Sequence, residues 1–102
     1  MNEHTEASTK TLQLSPILDL GAAGPLAAEF QASRGSELTL VASDVQRISA
    51  SCLQVLLSAQ LTWAVDGMGF RVTEPSTEYS EGVGLLGAES LIPGTTDLEM
   101  RS

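Results

Sequence analysis

The chain has 102 residues, enough for one domain with a single core, and its 42% apolar share is that of an ordinary globular protein. Thirteen acidic residues against five basic ones leave a net charge of −8, and the cations Lys10, Arg34, Arg47, Arg71 and Arg101 stand apart from one another. This excludes the clustered cations that neutralise nucleic-acid phosphates or an anionic membrane surface.

Met1 to Lys10 is polar, offers little to bury and lacks the apolar segment of a signal peptide. A disordered arm on a cytoplasmic protein is expected. A folded domain is expected over residues 11–92, followed by a loose polar tail over 93–102. Leu12, Leu14, Leu18 and Leu20 alternate with other residues, a period of two that indicates strand. Pro16 interrupts it, so the segment reads as an edge strand or as two short strands turning near Ser15-Pro16. Gly24-Pro25 opens a helix with an apolar face of Leu26, Ala27, Phe30 and Ala32, and Gly35 stops it. Glu37 to Ala42 reads as a short strand buried on both faces at its end. Ser43 to Ala50 reads as a loop whose Val45 and Ile48 point inward.

Ser51 to Asp66 is the clearest helix. Ser51 and Gln54 have the spacing of a capping box. Gln54, Ser58, Thr62 and Asp66 form a polar stripe on an otherwise apolar helix, so coverage of most of its circumference is expected. Phe70 to Thr73 reads as a strand. Pro75-Ser76 opens a last helix with Tyr79, Val83 and Leu86 at helical spacing; Gly82 and Gly84 weaken it, Gly87 ends it, and Gly82-Val83-Gly84 permits close packing. Leu91-Ile92 adds a last short element. Strands alternating with helices of this length imply parallel crossovers and an α/β fold.

Catalytic chemistry finds little support. The single histidine, His4, lies in the polar arm, where it cannot be held against a nucleophile. Cys52 is the single cysteine; it has no histidine partner, and its structural reading is a small buried residue. No cluster of metal-ligand type and no phosphate-binding glycine loop appears, so no cofactor and no metal are expected. The segment Ile48-Ser49-Ala50-Ser51-Cys52-Leu53 is more suggestive. A helix amino terminus carries free N–H groups and partial positive charge, and flanking hydroxyls could carry a phosphoryl group there. On composition alone, Ser49 and Ser51 are simply caps.

In order and spacing, Leu38 to Val41, Val45, Ile48 to Leu57, Gly69 to Val72, Pro75-Ser76 and Leu86-Gly87 resemble the STAS domain family of anti-sigma factor antagonists. The similarity spans residues 11–92. Cys52 to Leu57 is similar to short single-domain STAS proteins of proteobacterial chemotaxis operons. The resemblance implies one mixed, mostly parallel sheet with helices mainly on one side. It also implies a non-enzymatic module that binds an anti-sigma, histidine-kinase-like or chemotaxis protein and is released by phosphorylation. With Ile48 and Leu53 as anchors, the family's Asp falls on Ser49, its phosphoacceptor serine on Ala50, its next Ser/Thr on Ser51 and its glycine on Cys52. Ala50 has no hydroxyl, so Ser51 or Ser49 has taken over as acceptor or the domain binds constitutively. The expected docking surface comprises Asp44, Arg47, Ser49, Ala50, Ser51, Cys52, Gln54 and Ser58. STAS domains also accompany anion transporters and lipid-transport complexes, which leaves anion or nucleotide binding, or a lipid-transport accessory role, as the alternative. The sequence leaves the oligomeric state open.

Overall fold

The computed structural model describes residues 8–93. Residues 1–7 of the expected arm and 94–102 of the expected tail lie outside that range. In chain order the elements are β1 (Thr9–Gln13), β2 (Ile17–Leu18), α1 (Ala23–Ser33), β3 (Glu37–Val41), β4 (Arg47–Ile48), α2 (Ala50–Val65), β5 (Phe70–Thr73) and α3 (Thr77–Leu85). Short 3-10 turns occupy Leu20–Ala22 and Glu89–Leu91. β1 begins two residues inside the segment expected to be disordered, because Thr9 pairs with Glu37 and the Glu37 N–H donates to the Ser8 carbonyl at 2.9 Å.

The fold is α/β, with a three-stranded sheet in the order β1-β3-β5 and a two-stranded one formed by β2 and β4. Every ladder among the described residues is parallel, so the antiparallel component of a mixed sheet is not seen there. Pro16 explains the division. The chain pairs with β3 up to Gln13, turns at Ser15-Pro16, and then pairs with β4. The Pro16 carbonyl still accepts from the Gln46 and Arg47 N–H groups at 2.7 and 3.2 Å. The reading of two short strands is therefore the correct one. The alternation fails at Leu20, which sits in the 3-10 turn and is 73% exposed.

Register assigns the two faces of the main sheet. Leu12, Leu38, Leu40, Phe70 and Val72 share one face, and Thr9, Thr11, Thr39, Arg71 and Thr73 share the other. The first face meets the core that the helices complete, whereas the second is polar and half to fully exposed. Parallel sheets are usually covered on both faces; among the described residues this one is covered on one, and Val41 on its far face is only half-buried.

α2 supplies the centre of the core with Cys52, Leu53, Leu56, Ala59 and Trp63. Burial of a leucine such as Leu40 or Leu56 contributes about 1.5–3 kcal/mol. Phe30, Trp63 and Phe70 gather with ring centroids 5.9–6.3 Å apart in tilted and edge-on arrangements. The Trp63 indole N–H donates to the Ser36 carbonyl at 2.7 Å. Tyr79 is fully buried, and its hydroxyl donates to the Leu91 carbonyl at 2.9 Å. Burial pushes that hydroxyl above its ordinary range and keeps it a donor. At the helix ends, Arg34 grips Asp66 with two bonds of 2.9 and 3.1 Å. That pairing raises the arginine and lowers the aspartate from their usual values. Gly67 ends α2 with φ 71°, a conformation that costs a residue with a side chain.

α3 caps on Ser76, whose Oγ accepts from the Tyr79 N–H at 3.0 Å. The helix buries Tyr79 and Val83, and Leu86 lies just past its end and is 46% exposed. The two glycines of α3 differ. A Cβ on Gly82 would lie 2.5 Å from Ile48 Cγ2, whereas one on Gly84 would meet nothing within 4 Å. Gly82→Ala is therefore expected to destabilise by about 1–3 kcal/mol through overpacking. Gly84→Ala should be neutral or stabilise by up to about 1 kcal/mol through helix propensity. Urea denaturation midpoints of the two variants check this contrast.

Candidate functional site

The strands of each sheet are parallel, so within each sheet their carboxyl ends lie together. The loop between β3 and β4 meets the start of α3 through the Ser76 bonds to Val45 and Ala42, and α2 follows β4 at the carboxyl end of the smaller sheet. In open α/β sheets this is the edge where binding sites form.

The site is built by β4. Ile17 pairs with Arg47 and Leu18 with Ile48, and the Ser49 N–H continues the ladder to the Leu18 carbonyl at 2.7 Å. Ser49 is thus the last extended residue, with φ −91° and ψ 163°. Its hydroxyl accepts from the Cys52 N–H at 3.2 Å. The cap is Ser49, not Ser51, and the Ser51–Gln54 capping box is not formed. The two-residue strand Arg47–Ile48 is too short to show a period, and it moves the helix start one residue earlier, to Ala50.

The expected docking residues separate by exposure. Asp44, Arg47, Ala50, Gln54 and Ser58 are exposed, Ser49 and Ser51 are half-buried, and Cys52 is fully buried. The Cys52 thiol donates to the Asp19 carbonyl at 3.2 Å, which ties the turn after β2 to the first turn of α2. Cys52 therefore supports the site from beneath and is not part of its surface. Val45 is buried, as expected, and Ile48 is partly so.

The loop is held from α3. The Ser76 hydroxyl donates to the Val45 carbonyl at 2.6 Å, and the Ser76 N–H donates to the Ala42 carbonyl at 3.1 Å. Glu74, just before, takes φ 53°, a left-handed conformation costing on the order of 1–3 kcal/mol for a residue with a side chain. Around the loop Asp19, Asp44, Glu74 and Glu78 are exposed, and Arg47 is the exposed cation among them. Among the described residues, no three His, Cys, Asp or Glu side chains gather as a metal-binding group. No described helix is long and apolar enough to cross a membrane.

Two surface features escaped the sequence reading. Gln54 and Ser58 border a groove of 380 Å³ between α1 and α2, floored by Phe30, Ala59 and Trp63. The outward side of α2 also carries Leu61 at 66% and Val65 at 76% exposure, against the expectation that the helix is covered nearly all round. Helix geometry explains this. Each step of four residues advances about 400°, so the polar stripe winds away from the outward face. Thr62 ends half-buried beside the groove, and Leu61 and Val65 take the exposed positions.

Residues 1–93 match the protein family described as "Mlab, STAS domain". Comparison with curated proteins and with solved structures gave no match.

Loss of the cap separates the two serines. Ser49→Ala should cost about 1 kcal/mol, the usual range being about 0.5–2 kcal/mol. Ser51→Ala should stay within about 0.5 kcal/mol. Thermal or urea unfolding of the pair checks the assignment.

Proposed function

This chain belongs to the STAS domain family, and on that premise we propose that it is a cytoplasmic, non-enzymatic docking module of a partner-switching signalling system. Its partner is an anti-sigma, histidine-kinase-like or chemotaxis protein. The docking surface is the β3–β4 loop and the start of α2: Asp44, Arg47, Ser49, Ala50, Ser51, Gln54 and Ser58. The carrying observation is the exposure of Arg47 and Ala50 on a loop fixed by backbone bonds from Leu18 and by the Ser76 hydroxyl. A pre-formed loop loses little conformational entropy on binding, which favours a protein partner.

The position that accepts phosphate in the family is Ala50, so the module binds without being released by phosphorylation. Ser49 has a hydroxyl, but that hydroxyl caps α2. A phosphoryl group at this helix start would bring about −2 charge into the docking surface. Without it, the partner remains bound.

The test is co-purification with signalling kinases and chemotaxis proteins encoded beside this chain. Arg47→Glu together with Ser51→Glu should lower capture of the true partner at least about tenfold, the scale of an interface hot spot. Unchanged capture of every partner would remove this surface from the proposal. Incubation with the partner kinase and ATP should leave Ser49 and Ser51 unmodified by mass spectrometry; phosphate on either residue would restore the switch.

A further inference from the structure

None of the sixteen residues of α2 is charged, whereas α1 carries Glu29 and α3 carries Glu78 and Glu81. Two copies of a chain with net charge −8 repel one another. On the α2 face two copies can meet without opposing unpaired carboxylates, since Asp66 at its end is paired with Arg34. Leu57, Leu61 and Val65 follow one another at four-residue spacing and form a single ridge on its outward side, with Leu61 and Val65 exposed. The α1/α2 groove runs alongside, with the small side chains Ala27, Val55, Ser58 and Thr62 in its walls. Its charged residue, Arg34, is already paired with Asp66.

A ridge and a groove side by side on one uncharged face make that face complementary to itself. From this we propose that the chain forms a twofold dimer in which the Leu57–Leu61–Val65 ridge of each copy packs into the α1/α2 groove of the other. This is an isologous contact, in which the same patch serves both copies. A footprint two helices wide and about 24 Å long covers about 500 Å² per copy, less than the roughly 800 Å² of standard complexes. The dimer is accordingly weak and depends on concentration. The groove shares Gln54 and Ser58 with the docking surface above, whereas Arg47 lies outside it. Arg47→Glu, which tests the docking role, therefore leaves self-association in place, and the Leu61 and Val65 substitutions test the pairing alone.

Sedimentation equilibrium of the full chain from about 10 µM to about 1 mM tests the pairing. The weight-average mass should rise from 10.7 kDa toward twice that value. Added salt should strengthen the association, because it screens the repulsion between two acidic copies. Leu61→Glu with Val65→Glu should weaken it at least about tenfold. The milder Leu61→Gln should act in the same direction, and Thr11→Glu on the bare sheet face should change nothing. A mass that stays at 10.7 kDa over the whole range would overturn the proposal. So would a dimer that survives the double substitution, or one lost equally with Thr11→Glu.

Discussion

The structure depends on one requirement: α2 must bury Cys52, Leu53, Leu56, Ala59 and Trp63 against a sheet that has a single apolar face. With one face to offer, the sheet gathers its helices on that side. The side chains of Leu38, Leu40, Phe70 and Val72 then determine where α2 lies. The start of α2 is equally fixed, because β4 pairs with β2 up to Ile48 and the Ser49 amide adds a further bond to Leu18. A strand that runs straight into a capped helix leaves the backbone little freedom. The loop ahead of the helix is therefore presented in one shape.

That loop is supported from below and from the side. Beneath it, the Cys52 thiol reaches the Asp19 carbonyl, and Val45 and Leu18 fill the core. From the side, α3 comes close enough at Gly82 to touch Ile48, and Ser76 holds the Val45 and Ala42 carbonyls. The glycine of α3 and the loop before α2 thus form one packing unit. Disturbance at Gly82 reaches the loop before α2 through Ile48, although Gly82 is not part of that loop.

Elements with a repeating signal were legible in the sequence. The 11-residue α1, the 16-residue α2 and the strand Phe70–Thr73 lie where periodicity and glycine punctuation put them. The strand pair formed by β2 and β4 was not legible, since two residues each are too few to show a period. Missing β4 also displaced the predicted cap from Ser49 to Ser51. The exposed positions of α2 were hidden for another reason. Apolar residues nearly all round a helix say that it is buried but not which side is left open. Leu61 and Val65 could have been found by following the polar stripe through its drift, and the lack of any charge on α2 was the available clue. Of the residues expected at a docking surface, Asp44, Arg47, Ala50, Gln54 and Ser58 are exposed, whereas Cys52 could not be separated from them without the packing.

The proposed meeting surface for another protein is the loop from Asp44 to Ser51 and the first turns of α2. Amide hydrogen exchange of the chain alone and saturated with its partner measures this directly. Slowed exchange is expected in Arg47–Gln54 and in the β3–β4 loop, with the strands Thr9–Gln13 and Phe70–Thr73 unchanged. Slowed exchange confined to those two strands, with the start of α2 unaffected, would contradict it.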